Sequence, residues 1–472
     1  MADQTHVKTE GLTRLRSAFR GELIEPGHPA YEGERRIYNA MIDRRPALIA
    51  QCRDAADVRA AVAYGRGAGL PVSIRGGGHN GAGLAVCDGG VMIDLSRMKG
   101  IRADPWSRQV RVEPGCTQGD VDHATHTFGL AVPSGTVANT GVAGLTLGGG
   151  HGYLVRRWGL TIDNLLEADV VLANGEMVRA SEQENADLFW ALRGGGGNFG
   201  VVTSFLFRAH PVSTVVAGPM MWPLDQTTDI LRWYRDYHPS APETLYGFPA
   251  MLRVPPAPFF PSELHGTQVC AIVWCCSGDV EEGMCLMDEI RRMLPKPLID
   301  MVGPMPFPAL QGMFDPLIPP GLQWYWKGAF FDELPDEAIA IHRRFGEKIP
   351  MGVSTMHLYP IDGAASRIPS EATAFSYREA KWSMVIAGIH PEASGADEVR
   401  RWAQAYWEEL HPYSLGGSYV NFLMEEGIER VQATYRDNYA RLQAVKAKYD
   451  PENLFHLNQN IRPAKSTATA EH

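Results

Sequence analysis

Glycine is concentrated in four segments within the first 200 residues, and no other feature of the sequence constrains the fold as strongly. Consecutive glycines permit sharp turns and leave backbone N–H groups uncovered, so the chain can approach a phosphate or a ring system closely. One such run is typical of an ordinary turn. Several together predict a pocket for a cofactor larger than a mononucleotide. The segments are residues 75–81, 133–136, 141–152 and 194–200.

The first segment places a histidine inside a glycine loop. It reads Arg75-Gly76-Gly77-Gly78-His79-Asn80-Gly81 and follows the strand-like residues 71–74, which predicts a cradle for an anion. His79 has two interpretations. It is either a nucleophilic imidazole beside an electrophilic carbon, such as the methyl group of a flavin ring, or a loop histidine bonded only to backbone. Neither His79 nor His151 has the neighbours of a metal ligand set, so no metal site is predicted.

The last glycine segment matches the GxGxxG pattern of a nicotinamide site through Gly195, Gly197 and Gly200. That site requires a strand before the pattern and a helix after it. Here the helical residues 187–193 come first and the strand-like residues 201–205 follow, which is the reverse order. We therefore reject a nicotinamide site, and the absence of GKS or GKT excludes a Walker loop.

Composition indicates a soluble, fully folded, two-domain protein. The chain has 472 residues, of which 45% are hydrophobic and 21% charged, with no apolar run long enough to cross a bilayer. No signal peptide is visible in the first thirty residues, so we expect a cytoplasmic protein. The net charge of −10 argues against nucleic acid as a partner. Seven cysteines without a CxxC pair predict reduced thiols, with a single structural bridge as the alternative.

Hydrophobic periodicity predicts alternating helices and strands in the first half of the chain. A helix is expected over residues 54–69, a hairpin with a type I′ turn at Asn174-Gly175, and a final helix over residues 431–449. Near residue 211 glycine becomes rarer while proline and aromatic residues increase, which indicates a domain boundary. The aromatic residues of the second domain either line a pocket or fill a core.

Five motifs together resemble the berberine-bridge-enzyme-like FAD oxidases, which belong to the vanillyl-alcohol-oxidase superfamily with its PCMH-type FAD-binding domain. The motifs are residues 75–80, Pro133-Ser134-Gly135, residues 148–164, residues 192–200, and residues 449–461. The resemblance implies an α+β, two-domain flavoprotein in which both chain ends build the FAD domain and a domain of antiparallel sheet plus helices is inserted. The implied boundaries are 1–211 and 414–463 for the FAD domain, 212–413 for the substrate domain, and a disordered tail at 464–472.

The resemblance also implies how FAD is held. His79 matches the histidine that bonds covalently to the flavin, whereas the position of the second, cysteine link falls on Val137. We therefore expect FAD attached through His79 only, as in the singly histidyl-linked subgroup. The implied cofactor-binding residues are Arg75, Gly76, Gly77, Gly78, His79, Asn80, Gly81, Pro133, Ser134, Gly135, Thr136, Val137, Gly141, Gly144, Gly149, His151, Gly152, Asn198, Gly200, Val202, Tyr419, Asn458 and Asn460.

The implied catalytic residues are Tyr419, Tyr359, His357 and Asn421. Tyr419 matches the tyrosine that helps to remove the proton of a substrate hydroxyl; its alternative role is packing beside the flavin. Asn421 is expected to orient the ring or the substrate. His357 and Tyr359 lie on one face of a strand in the substrate domain and are second candidates for the acid–base group.

The expected reaction transfers a hydride from a C–H group bearing hydroxyl or amine to FAD. Dioxygen then regenerates FAD and yields hydrogen peroxide, so the expected partners are a small-molecule substrate and dioxygen, with neither nucleic acid nor membrane. Three alternatives stay open: a dehydrogenase with another electron acceptor, a flavin-N5-oxide oxygenase of a polyketide-like substrate, and a flavin-carrying binding protein without turnover.

Overall fold

A computed structural model of the chain describes residues 2–465. Its first sheet has four strands in the order β1-β2-β4-β3, with β1 antiparallel to β2 and the other pairs parallel. The predicted helix after Asp54 is confirmed as α3, because the Asp54 carboxylate accepts the N–H groups of Ala56 and Asp57. The elements are α1 (Ala2–Ala18), β1 (Glu22–Ile24), α2 (Tyr31–Glu34), β2 (Leu48–Gln51), α3 (Ala55–Gly67), β3 (Val72–Arg75) and β4 (Val91–Asp94).

A second, antiparallel sheet follows, with five strands in the order β5-β6-β10-β8-β9. Helix α7 precedes the last glycine segment and strand β10 follows it. This confirms the predicted helix-then-strand order, which is the reverse of the order in a nicotinamide site. The elements are β5 (Ile101–Asp104), β6 (Gln109–Val112), α4 (Gln118–His126), β7 (Leu130–Ala131), α5 (Val142–Gly148), α6 (Val155–Trp158), β8 (Leu165–Val171), β9 (Met177–Ser181), α7 (Ala186–Leu192), β10 (Val201–Arg208) and β11 (His210–Pro211).

The hairpin between β8 and β9 exists, but its predicted type I′ turn is wrong. A type I′ turn needs positive φ at both central residues, whereas only Gly175 has one, at +83°. The N–H of Gly175 bonds to the carbonyl of Leu172 at 2.9 Å, and the N–H of Leu172 bonds to the carbonyl of Glu176 at 2.9 Å. This is a three-residue loop with glycine in the left-handed position, the other turn that an Asn-Gly pair favours.

The third large sheet is antiparallel and has eight strands in the order β15-β12-β14-β13-β18-β19-β17, with β16 also paired to β12. Side chains alternate between its faces, so that one face packs under helices α8, α9, α11 and α12 around Trp222, Trp274 and Trp382. The elements are β12 (Thr214–Pro223), α8 (Thr227–Tyr237), β13 (Leu245–Arg253), β14 (Gln268–Cys276), α9 (Val280–Met293), β15 (Ile299–Asp300), β16 (Gly303–Pro306), α10 (Phe307–Gln311), β17 (Gln323–Phe331), α11 (Asp336–Glu347), β18 (Thr355–Pro360), β19 (Trp382–His390) and α12 (Ala396–Leu410).

The final predicted helix is divided in two, which corrects the expectation of one helix over residues 431–449. Helix α13 (Ile428–Tyr435) and helix α14 (Asn438–Tyr449) are separated at Arg436, whose φ is +45°. Tertiary contacts hold this conformation: the Arg436 guanidinium lies 3.8 Å from the centre of the Tyr377 ring and pairs with Glu379. Local periodicity carries no information about these partners.

One hydrophobic core contains side chains from residues 110–209 together with residues 420–461. The α+β fold class is therefore confirmed, and the two ends of the chain pack together. The domain boundaries at residues 211, 413 and 463 stay predictions. Residues 466–472 of the predicted tail lie outside the described residues. Within the described range no helix is both long and apolar enough to cross a membrane. All seven cysteines are free thiols.

A buried ion pair ties the C-terminal segment to the last glycine segment. Lys446 on α14 donates to the carboxylate of Asp450 at 2.6 Å, to the carbonyl of Asn198 at 2.6 Å and to the carbonyl of Phe455 at 3.2 Å. Both charged side chains are fully buried. Burial lowers the pKa of Lys446, and Asp450 opposes this shift. Such a pair is costly to break from one side, because the remaining charge keeps its desolvation penalty.

We expect Lys446→Ala to destabilise the protein by about 3–5 kcal/mol. The matched control is Lys448→Ala, because Lys448 pairs with Asp187 at 2.7 Å while it is 58% exposed, and loss of such a surface pair costs about 0–1 kcal/mol. Thermal unfolding followed by circular dichroism measures both variants. Equal midpoints for the two would contradict the assigned role of Lys446. The double variant K446M/D450L leaves no buried charge, but it also removes the side-chain partners of the Asn198 and Phe455 carbonyls and of the Leu454 and Phe455 N–H groups, so it should recover only part of the lost stability.

Candidate active site

The glycine segments and the face of the eight-stranded sheet opposite its helices enclose a cavity of about 360 Å³, within the usual range for small-molecule sites. Most of the residues implied by the resemblance lie in its wall. These are Gly76, Gly77, Gly78, His79, Asn80, Gly135, Thr136, Val137, Gly141, Gly144, His151, Asn198, Gly200, Val202, His357, Tyr359, Tyr419, Asn421 and Asn458. Those outside the wall are Arg75, Gly81, Pro133, Ser134, Gly149, Gly152 and Asn460.

The first glycine loop continues from β3 with its amide groups free. Within the described residues the N–H groups from Gly76 to Asn80 form no hydrogen bond to the rest of the chain. The loop also touches the third segment backbone to backbone, since a Cβ atom on Gly77 would lie 2.5 Å from the nitrogen of Gly141. A side chain at either position would therefore collide with backbone. This arrangement suits a group with several hydrogen-bond acceptors, such as a phosphate.

His79 lies at the end of this loop under an aromatic ring. The Tyr38 ring stacks on the imidazole with centroids 3.9 Å apart and an angle of 21°. The N–H of Tyr38 donates to the carbonyl of Gly78 at 3.1 Å, which fixes the two segments together. Burial lowers the pKa of His79 to about 4, although part of the ring is accessible from the cavity. The imidazole is therefore neutral at pH 7 and keeps a nitrogen lone pair.

The Tyr419 hydroxyl is held by two N–H donors. It accepts the N–H of Gly150 at 2.8 Å and the side-chain N–H of Asn421 at 2.7 Å. Gly148 makes this possible, because a Cβ there would lie 2.4 Å from the Asn421 oxygen. Burial raises the pKa of Tyr419, whereas the two hydrogen bonds lower it by stabilising negative charge on the oxygen. Burial is the larger effect, so the pKa of Tyr419 lies above its ordinary value and the two hydrogen bonds offset only part of the cost of a phenolate.

His151 lies between two tyrosines of the cavity wall. Its ring centroid is 4.6 Å from that of Tyr419 and 5.1 Å from that of Tyr359. Both ring nitrogens are buried and have no hydrogen-bond partner among the described residues. Burial lowers the pKa of His151 to about 3, so the ring is neutral. An unpartnered buried imidazole in a cavity wall is typical of a ligand or catalytic site.

The second acid–base candidates form a direct pair on β18. The Nδ1 atom of His357 and the hydroxyl of Tyr359 are 2.6 Å apart. Burial lowers the pKa of His357 to about 3 and raises that of Tyr359. Both side chains point to the cavity face of the sheet, as the alternation along residues 354–359 predicts.

The C-terminal motif closes the cavity at the last glycine segment. The Asn198 oxygen accepts the N–H of Ile461 at 3.0 Å, and the Asn198 amide donates to the carbonyl of Gln459 at 3.2 Å. The Asn458 amide donates to the carbonyl of Gly197 at 3.1 Å. Two motifs far apart in sequence thus form one part of the wall.

Comparisons with known proteins agree with this geometry. Residues 46–181 match the FAD binding domain family, and residues 418–462 match the family described as berberine and berberine like. An FAD-linked oxidoreductase of Dictyostelium discoideum is 30% identical over 461 residues, which cover 97% of this chain and 98% of that protein. The chain belongs to the berberine-like family of FAD-linked oxidoreductases.

Two other relatives have more specific names. The xylooligosaccharide oxidase of Thermothelomyces thermophilus is 27% identical, over 91% of this chain and 89% of that protein. The crystal structure of 6-hydroxy-D-nicotine oxidase from Arthrobacter nicotinovorans has a TM-score of 0.84 at 26% identity and covers 94% of this chain and 98% of that one. These matches confirm the expected family and two-domain flavoprotein fold.

The cavity of this FAD-linked oxidoreductase fits its cofactor. The free N–H groups of residues 76–80 suit a pyrophosphate, and the close contact of Gly77 with Gly141 leaves no side chain in its way. The unpartnered nitrogens of His151, which lies in the wall, are polar groups that a bound ring system can satisfy.

Some residues important for the site had no signal in the sequence. Tyr38 and Arg253 line the cavity, but they lie outside the glycine segments and the C-terminal motif. Trp324 also lines the cavity, which is one of the two roles expected for the aromatic residues of the second domain. Arg75 holds the segment that leads to Tyr38 and so places the Tyr38 ring over His79. The Arg75 guanidinium itself lies outside the cavity wall. A tyrosine forty residues upstream of a glycine loop carries no local pattern that predicts stacking.

Proposed function

We propose that this flavoprotein is an oxidase of small organic substrates that carry hydroxyl or amine on the reacting carbon, with FAD attached through His79 alone. The observation that carries the proposal is the placement of a neutral His79 and a doubly hydrogen-bonded Tyr419 in one cavity. When bound, FAD accepts a hydride from the substrate and passes the electrons to dioxygen as hydrogen peroxide.

The covalent attachment depends on which nucleophilic side chains line the cavity. His79 is neutral and stacked under Tyr38, so its ring is oriented and nucleophilic. Val137 lies in the wall where a second link would need sulfur, and none of the cysteines lines the cavity within the described residues. One covalent bond at His79 is therefore the attachment that this chain supports.

Tyr419 is the proposed acid–base group: it accepts the substrate proton as a phenolate, after its own proton has passed to solvent. The N–H groups of Gly150 and Asn421 stabilise negative charge on its oxygen, and these donors are in place before the reaction begins. The His357–Tyr359 pair is the second candidate, because its hydrogen bond of 2.6 Å joins a phenol directly to an imidazole.

We expect acid-denatured protein to keep its yellow chromophore, and His79→Ala to release it completely. The matched control is His151→Ala, because His151 also lies in glycine surroundings and in the wall. It should keep the flavin after denaturation. Flavin fluorescence of the band on a denaturing gel measures all three proteins. A fluorescent His79→Ala band, or a colourless wild-type band, would show that the single attachment at His79 is wrong.

We expect Tyr419→Phe to slow anaerobic flavin reduction about 10²–10⁴-fold, since the general base is lost. Tyr359→Phe removes one hydroxyl from the same cavity and should slow the reaction less than about tenfold. Stopped-flow loss of the yellow absorbance compares the two variants at saturating substrate. The opposite order would assign the base to the His357–Tyr359 pair.

We expect the reduced protein to regain its yellow colour rapidly on exposure to air, with one hydrogen peroxide released per flavin. A peroxide-coupled dye assay measures the product. Slow reoxidation in air, with fast reoxidation by an artificial quinone, would favour the dehydrogenase alternative. Incorporation of an oxygen atom into the organic product would favour the oxygenase alternative.

A further inference from the structure

We propose that the substrate is an apolar, aromatic alcohol without positive charge, and not an oligosaccharide or an ammonium compound. The inference rests on the proposed oxidase function and names the substrate class of the same site.

The face of the eight-stranded sheet opposite its helices forms an apolar wall of the cavity. Leu252, Thr355, Ala387 and Trp326 come from four neighbouring strands and form one cross-strand row, because each is the register partner of the next. Three of these four side chains are apolar, and all four line the cavity. A flat hydrocarbon surface can lie along this row.

The segment after α10 extends this apolar surface. Phe314, Leu317 and Ile318 line the cavity and remain partly exposed, although they are hydrophobic. The Phe314 ring lies 6.4 Å from the imidazole of His357, which places it near the polar pair on β18. Apolar groups left accessible inside a cavity gain free energy when an apolar ligand covers them.

On this side of the cavity the Thr355 hydroxyl and His357 are hydrogen-bonded within the protein, whereas the indole N–H groups of Trp324 and Trp326 and the imidazole of His151 have no partner among the described residues. The Thr355 hydroxyl donates to the carbonyl of Met251 at 3.0 Å, and His357 is bonded to Tyr359 at 2.6 Å. An oligosaccharide has several hydroxyl groups on each ring, and three unpartnered side chains, His151, Trp324 and Trp326, can pair with only a minority of them. Burial of an unpaired hydroxyl is unfavourable, so the wall selects against polyhydroxylated ligands.

The charge of the wall disfavours a cation. Within the described residues no Asp or Glu lines the cavity, and Arg253 is its one charged side chain. The Arg253 guanidinium donates to the carbonyls of Ile349 and Gly266 and has no ion-pair partner in the described part of the chain. An ammonium group would therefore be desolvated without a counter-ion.

Asp315, which follows Phe314, does not change this balance. Its carboxylate accepts the N–H of Asn139 at 3.4 Å and is not part of the cavity wall.

Three ligands test the proposal on the FAD-loaded protein under anaerobic conditions: 2-acetylnaphthalene, methyl β-cellobioside and 2-naphthylmethyl-trimethylammonium. Methyl β-cellobioside keeps alcohol groups, so the flavin absorbance is recorded during its titration, and reduction of the flavin by it would itself contradict the proposal. Isothermal titration calorimetry measures each dissociation constant. We expect the naphthyl ketone to bind about tenfold or more tightly than either of the others. Equal or tighter binding of the glycoside or of the ammonium compound would overturn the proposal.

Two variants locate the binding surface. Phe314→Ala should weaken binding of the naphthyl ketone about tenfold, whereas Phe259→Ala should leave it unchanged, because Phe259 is 49% exposed and lies outside the wall. Thr355→Asp adds a carboxylate to the apolar row and should shift the preference towards the ammonium compound. Unchanged binding in both Phe314→Ala and Thr355→Asp would show that the ketone binds elsewhere.

The oxidase function is measured separately, as anaerobic loss of the yellow absorbance on addition of 2-naphthylmethanol. If the ketone binds with the expected preference while a wider panel of aromatic alcohols leaves the flavin oxidised, the oxidase function fails and the ligand class stands. If oligosaccharides reduce the flavin faster than aromatic alcohols, the oxidase function stands and the inferred substrate class fails.

Discussion

The buried ion pair between Arg75 and Asp94 is the interaction on which the cofactor side of the molecule depends. Arg75 ends β3 and Asp94 ends the parallel strand β4, and two hydrogen bonds of 3.0 Å and 2.7 Å join them. Burial alone would raise the pKa of Asp94, but the hydrogen bonds and charge of Arg75 lower it. The same guanidinium donates to Glu34 and to the carbonyl of Arg36 at 3.2 Å. One side chain thus fixes the start of the glycine loop and the segment that leads to Tyr38.

This constraint explains why a residue of the glycine motif can matter without touching the cavity. The resemblance placed Arg75 among the cofactor-binding residues, whereas its guanidinium is bound to Asp94, Glu34 and backbone. By holding residues 34–36, it brings the Tyr38 ring over His79. The proposed attachment therefore depends on the ion pair of Arg75 and Asp94, which lies behind the cavity wall. Loss of either residue would leave the other as an unpaired buried ion.

The sequence predicted those parts of the molecule that have a local signal. Asp54 predicted the start of α3 because a carboxylate caps a helix by accepting N–H groups only a few residues ahead. The glycine segments indicated the cavity, since bare backbone has few other uses at that density. The sequence could not distinguish between two turns that it favours about equally. The Asn174-Gly175 pair suits both a type I′ turn and a three-residue loop, and the chain adopts the loop, which has a single left-handed residue. The sequence did not predict contacts between distant segments. Examples are the stacking of Tyr38 on His79 and the contact of the Arg436 guanidinium with the Tyr377 ring.

The two ends of the chain close the same site, and this has a consequence for how the site forms. The loop before β10 is held by Asn198, which bonds to residues 459 and 461, and by Lys446, which bonds to the Asn198 carbonyl. The phenol of Tyr419 reaches the third glycine segment through the N–H of Gly150. The inserted eight-stranded sheet lies between these partners in sequence, so the final geometry of the glycine loops depends on contacts that span more than 240 residues. Contacts of such long sequence separation are associated with slow folding. The cofactor cavity is therefore a product of the complete fold, and the first 200 residues alone do not contain it.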